Sequence, residues 1–203
     1  MKVLDALAAK KVGLGFAHYG VEVPKGDPGA AMHRWVGGYY EHQFSVNPMW
    51  APDYRVFPSH PVTRGVGPFS NHDEWYFNMR FVDGRKGVTP ILAAVPDNSV
   101  TSRPDGAHSG NPEMRAQVAR GDAQVVSWAY ERPDGGRGFG FTGAHYHANW
   151  GNEDFRRIVL NAILWLAKID VPAGGVRSSV TEADVAANLD PKPAPKRKAD
   201  AKK

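Results

Sequence analysis

The stretch GRGFGFTGAHYHANWGNEDFRRIVLNAILWLA, residues 136–167, decides how the fold is read. Its first part, GRGFGFTGA, reads as a strand that pairs with AQVVSWAYE, residues 123–131, around the turn RPDGG. Its second part is the clearest helix in the chain. Phe155, Ile158, Val159, Ala162, Ile163 and Leu166 fall on one stripe at helical spacing. Asn152 is placed to cap that helix, and Glu153 and Asp154 suit the positive end of its dipole. Between strand and helix lies a glycine-flanked junction that holds two of the eight histidines, one residue apart. In extended backbone, residues two apart share a face, so His145 and His147 are expected to address one ligand together.

Working outward, MKVLDALAAKK carries Leu4, Leu7 and Ala8 at helical spacing, and VGLGFAH reads as a buried strand ending at His18. DPGAAMHRWVGG reads as a short helix, with Asp27 as N-cap, Pro28 at the first helical position and Gly37-Gly38 as its stop. DYRVFP and VTPILAAV are expected strands. EWYFNMRF alternates, with Trp75, Phe77, Met79 and Phe81 on one face and Glu74, Tyr76, Asn78 and Arg80 on the other. Residues 96–122 are polar and turn-rich, which predicts a long surface insertion with one helical turn, of the kind that closes over sites. Helices and buried strands mixed along one chain give an α/β class, a core sheet covered by helices.

The 203 residues suffice for one sizeable domain. The absence of cysteine excludes disulfides, a thiol nucleophile and thiolate metal sites. Much of the +4 net charge sits in the C-terminal PKPAPKRKADAKK, so residues 1–175 are expected to form the domain and 176–203 a disordered basic tail. That tail reads as solubilising, and nucleic acid is not an expected partner. No apolar run approaches the roughly 18–20 residues of a membrane span, so no membrane partner is expected. The N-terminus carries no secretory signal pattern, which makes a cytoplasmic location the default.

The chemistry-bearing residues recur beside expected strand ends. GFAHYG places His18, followed by Tyr19, where open α/β sheets bind ligands. GGYYEHQF adds Glu41 and His42, HDEWYF adds His72, Asp73 and Glu74, and GAHYHANW adds His145 and His147. Histidine with carboxylate suits a borderline cation such as zinc, manganese or iron, and suits a metal-free acid–base site equally well. There is no HExxH, P-loop, GxSxG or Rossmann fingerprint. GRGFGF leads into more strand, so no phosphate role is expected for it. His60 is expected to build a turn, and His33 and His108 to be solvated. Of the tryptophans, Trp150 alone stands in the junction turn, which makes it the one suited to stack on a sugar.

Together VGLGFAHYG, WVGGYYEHQFSVNP, HPVTRGVGPFSNHDEWY and the 136–167 stretch resemble the trehalose-utilisation (ThuA-like) family, in order and approximate spacing from about Val12 to Ala167. The resemblance implies the class I glutamine amidotransferase-like fold, a flavodoxin-like three-layer sandwich. It also implies a carbohydrate-utilisation role on oxidised (3-keto) sugars or their glycosides, by a hydrolase or lyase. The amidotransferase nucleophile is a cysteine, so that route is excluded here. Carried over, the family's polar residues fall on His18, His42, Asp73, Glu74 and His145. The expected catalytic set is His18, Glu74 and His145; the expected substrate contacts are Tyr19, Asp73, His147 and Trp150. A divalent metal, zinc or manganese, would sit on His18, His42 and His145. Family members start with further strand–helix units, so the sheet here is expected to lack its first strands; an open sheet edge would favour homo-oligomers. The competing expectation is a non-catalytic sugar-binding module, in which the same cluster only orients a ligand.

Overall fold

In the computed structural model, which describes residues 1–187 and residue 189, the chain opens with α1 (Lys2–Ala9), β1 (Leu14–Ala17) and α2 (Asp27–Val36). Six short strands follow: β2 (Gly38–Tyr39), β3 (Met49–Trp50), β4 (Asp53–Tyr54), β5 (Phe69–Ser70), β6 (Asp73–Glu74) and β7 (Arg80–Phe81). Then come β8 (Val88–Ala94), α3 (Pro112–Arg120), β9 (Gln124–Glu131), β10 (Arg137–Phe141), α4 (Glu153–Leu166) and α5 (Glu182–Ala186). The central sheet runs β1-β10-β9-β8, with β1 parallel to β10 and the other pairs antiparallel. The short strands pair as β2–β7, β3–β6 and β4–β5.

The alternation along β10 creates the layers. Phe139 and Phe141 join Phe155, Ile158 and Ala162 of α4 in one buried cluster. Gly138 points the other way, where a Cβ would lie 2.5 Å from the Trp35 carbonyl oxygen and 2.6 Å from Val36 Cα. The backbone of α2 therefore rests directly on the strand, and Trp128 Nε1 donates to the Val36 carbonyl at 2.6 Å. The glycines of GRGFGF are packing surfaces. With α2 on one face of the sheet and α4 on the other, this is the flavodoxin-like α/β layering expected.

Asn152 caps α4 by accepting from the Phe155 amide at 3.0 Å. The buried stripe of the helix is Phe155, Ile158, Ala162 and Trp165, rotated from the one expected. Ile163 is 55% exposed, and with Val159 and Leu166 it lines an open apolar groove beside the edge strand β1. The rotation follows from two polar residues on the buried side. Asn161 donates to the Val62 and Arg64 carbonyls and accepts from the Val176 amide. Arg156 donates to the Trp150 carbonyl and the Ser178 hydroxyl. Residues 176–178, assigned to the tail from composition, are thereby held against α4, and α5 follows them. The remainder of that expected tail, residues 188 and 190–203, lies outside the described residues.

Other expectations shift in detail. Gly26 occupies the N-cap position of α2, and Asp27 is its first residue. DYRVFP is strand only at Asp53–Tyr54. EWYFNMRF is not one strand: residues 75–79 are buried on both sides, Trp75 and Phe77 in one cluster and Tyr76 and Met79 in another, with Asn78 at φ 56°. A segment that feeds two cores has no solvent face, so alternation along it does not mean a half-buried strand. The 96–122 insertion carries more than one turn: Asn111 caps α3, which buries Met114 and Val118 in the main core. His33 is half-buried, with Nε2 3.3 Å from the Arg80 carbonyl. His60 does build a turn, accepting from the Val62 amide at 3.1 Å.

Two outcomes are expected. Gly138→Ala drives a methyl into the backbone of α2 and should destabilise the protein by about 1–3 kcal/mol in chemical denaturation. Burial lowers the pKa of His33 and His60 below the ordinary 6.5, so both favour the neutral form in the folded state. Their stabilising contribution is complete above that value and is lost as pH falls through the lower folded values. His60→Asn keeps a capping acceptor without the titration and should flatten the fall of Tm between neutral and mildly acid pH.

Candidate active site

Residues 73–76 each take a separate task. Asp73 is fully buried. Its carboxylate accepts four backbone amides: Ala144 at 2.8 Å, His145 at 3.0 Å, Tyr146 at 3.1 Å and Glu74 at 2.9 Å. Three successive amides converging on one carboxylate form a nest. Ala144 has φ 84°, so the chain leaves the extended conformation soon after β10 ends at Phe141. Glu74 points to the other side. Its Oε1 accepts from Asn47 Nδ2 at 2.9 Å, and its Oε2 lies 3.0 Å from His145 Nδ1 and 3.4 Å from His18 Nε2. Trp75 lies in the core, beneath Gly143, where a Cβ would meet its ring at 2.6 Å. Tyr76 places its hydroxyl 3.1 Å from His18 Nε2.

His18 sits directly after β1 with φ 48°. Its Nδ1 lies 3.0 Å from the Thr142 carbonyl, which can only accept, so Nδ1 carries the proton and Nε2 faces the cluster as an acceptor. The Tyr76 hydroxyl then donates to Nε2. Burial, followed by the Glu74 and Glu22 charges, pushes the Tyr76 phenol well above its usual value, so it stays protonated. By the same logic His145 Nδ1–H donates to Glu74 Oε2, which leaves His145 Nε2 as a free acceptor on a side chain 46% exposed. The arrangement is an oriented imidazole backed by a carboxylate, the geometry of a general base.

His18, Glu74 and His145 are thus brought together. The other site residues of the sequence reading are not. Asp73 spends its carboxylate on backbone and has no exposed atom to offer a substrate, which corrects its expected role. His147 is exposed and opens a 3-10 turn over His147–Gly151, and it is not among the side chains that converge with His145 on Glu74. Trp150 packs edge-on against Phe155 at 5.2 Å and borders the core. Tyr19 is 71% exposed and, with Glu22, Val23, Pro24 and His42, lines an open cavity of about 230 Å³. His42 stands apart from His18 and His145, in a second cluster with Glu22 and His108. The expected set of His18, His42 and His145 is thus not brought together; the groups that converge are His18, Glu74 and His145.

Sequence reasoning passed over Tyr76 as a site residue, although the alternation had put it on the same face as Glu74. It also passed over Glu22, Tyr40 and His108. Tyr40 packs edge-on against Tyr76, with ring centroids 5.0 Å apart, and its hydroxyl lies 2.9 Å from His108 Nδ1. Nothing in local spacing ties residue 108 to residue 40, so no motif could have found it.

Comparison with known proteins adds one match: a family model described as ThuA, trehalose utilisation, spans residues 8–166. No curated protein and no solved structure matches the chain. Among the described residues no helix is long and apolar enough to cross a membrane.

Asp73→Ala orphans four amides in a buried site and should cost about 3 kcal/mol or more in denaturation experiments. Asp73→Asn keeps acceptor capacity through one oxygen and should lose less.

Proposed function

Since the chain belongs to the trehalose-utilisation (ThuA) family, we propose that it is a carbohydrate-utilisation enzyme that cleaves a keto-glycoside by acid–base chemistry. One observation carries the reading: the His145 Nδ1 to Glu74 Oε2 contact of 3.0 Å, beside His18 and Tyr76, on a solvent-accessible imidazole. In the proposed step His145 Nε2 takes the proton from the carbon between the keto group and the glycosidic carbon. The C–H electron pair forms an enolate, which then expels the aglycone oxygen with the C–O bonding pair. The proton passes to that oxygen, leaving an unsaturated keto-sugar to which water can add. Glu74 stabilises the imidazolium that forms on His145. His18, its tautomer held by Thr142, positions the protonated Tyr76 hydroxyl, which can turn to donate to developing negative charge. A two-carboxylate glycosidase is not favoured, because Asp73 is buried.

The same three donors also fit a divalent cation, zinc or manganese. His18 Nε2, Glu74 Oε2 and His145 Nδ1 lie 3.0–3.4 Å from one another, close to the separation of about 3.3 Å between ligands on a tetrahedral zinc. The His18 Nδ1 bond to a backbone carbonyl is the outer-shell contact that orients a ligating imidazole. Such a cation would polarise the keto oxygen.

The test is turnover of a series of 3-keto-glucosides, in chelator and with added zinc or manganese. His145→Ala should lower turnover about 10²–10⁴-fold. Glu74→Gln should lower it on the order of 10²-fold or more, with Tm little changed in His145→Ala. Full activity in His145→Ala would refute the catalytic assignment. Saturable sugar binding without turnover under any metal condition would make the cluster a binding site instead.

A further inference from the structure

A second cluster of donors lies on the far side of the Tyr40–Tyr76 pair. It is built from three separate parts of the chain. Glu22 follows the 3-10 turn after β1, His42 follows β2, and His108 belongs to the insertion between β8 and α3. Backbone bonds hold all three in place. Glu22 bridges to Tyr40 in parallel register, the His108 amide donates to the His42 carbonyl at 3.3 Å, and the Asn47 amide donates to the His108 carbonyl at 3.2 Å. His108 adopts φ 62°, a conformation uncommon for a residue with a side chain, kept here by bonds on both its backbone groups.

The side chains then converge without using one another up. One ligand atom from each of Glu22, His42 and His108 lies within 4.8 Å of the others. The His42 and His108 ring centroids are 4.2 Å apart. The Glu22 side chain is only 16% exposed, yet among the described residues no hydrogen bond reaches its carboxylate; its nearest ionic partner is His108 Nε2 at 3.7 Å. A largely desolvated carboxylate without a donor is expensive unless something cationic meets it. His108 spends Nδ1 on the Tyr40 hydroxyl at 2.9 Å, which leaves Nε2 directed at Glu22. That is the outer-shell arrangement of a ligating histidine, with the second ring nitrogen bonded away from the metal.

We infer that Glu22, His42 and His108 form a second divalent-cation site, of zinc type by its two imidazoles and one carboxylate, that pins the 96–111 insertion to the segment after β2. The site is separate from the His18–Glu74–His145 cluster and does not depend on its function. It borders the cavity lined by Tyr19, Val23 and Pro24, so cation binding would hold one wall of that cavity in place. The exposed His42 would turn its ring to bring the set to coordination spacing when the cation binds.

The test uses the full chain, stripped of metal and titrated with zinc against a competing chromophoric chelator, with bound zinc counted. His42→Ala and Glu22→Ala should each lose the same single zinc equivalent, and the double variant no more. His42 is exposed, so its variant should fold; His42→Gln repeats the measurement if it does not. Zinc at ten times its Kd should slow proteolysis within residues 96–111 about tenfold in the parent protein and not in His42→Ala. Either single variant keeping the full zinc complement overturns the inference. Zinc lost only from a His18→Ala/His145→Ala double variant also overturns it, while leaving the proposed cation at the first cluster standing. Zinc lost from the His42 and Glu22 variants but not from that double variant supports this site and removes the cation from the first.

Discussion

The buried carboxylate of Asp73 is the contact on which the site depends. A charge without exposed surface is tolerated only where hydrogen bonds replace its water, and four backbone amides do so here. Three of those amides belong to residues 144–146, which no other strand pairing holds. The carboxylate therefore fastens the loop after β10 to the β3–β6 ribbon. His145 is placed by its own amide, and Glu74, the next residue along β6, emerges on the opposite side and meets its imidazole. One short strand thus supplies both the anchor and the carboxylate that meets His145, with no slack between them.

Both histidine clusters contain left-handed backbone. Among the non-glycine residues at positive φ are His18, Ala144 and His108, each within a cluster or next to one of its members. A strand end alone would send His18 onward along the sheet. The left-handed conformation turns it back so that Nδ1 reaches the Thr142 carbonyl. Ala144 turns the loop so that its amides face Asp73. Such conformations persist only where surrounding bonds over-determine them, as the nest and the sheet do here.

The two clusters share a wall. Tyr40 and Tyr76 pack edge-on between them, one hydroxyl bonded to each histidine group. Burial first, then the neighbouring Glu22 and Glu74 charges, raises both phenols, so each remains a donor. The aromatic pair keeps the two sets of donors apart while tying their positions together. The polar insertion, which composition alone marks as surface, is part of that wall through His108 and part of the core through Met114.

The amino-acid sequence by itself determined the layers. Helical spacing over residues 153–166, the strand pair around RPDGG and the capping chemistry of Asn152 are local signals, and local signals survive folding. It also placed His18, Glu74 and His145 beside strand ends, and chain order and spacing matched them to the family. Tertiary structure alone decided which polar residues meet. Asp73 and Glu74 are neighbours in sequence, yet one is spent on backbone and the other meets His18 and His145, because the amides of residues 144–146 reach one side of β6 only. His145 and His147 part for the same kind of reason: the chain turns into a 3-10 helix at His147, and only His145 meets Glu74. His42 was drawn to His108 by a backbone bond across the insertion, a long-range pairing that no periodicity encodes.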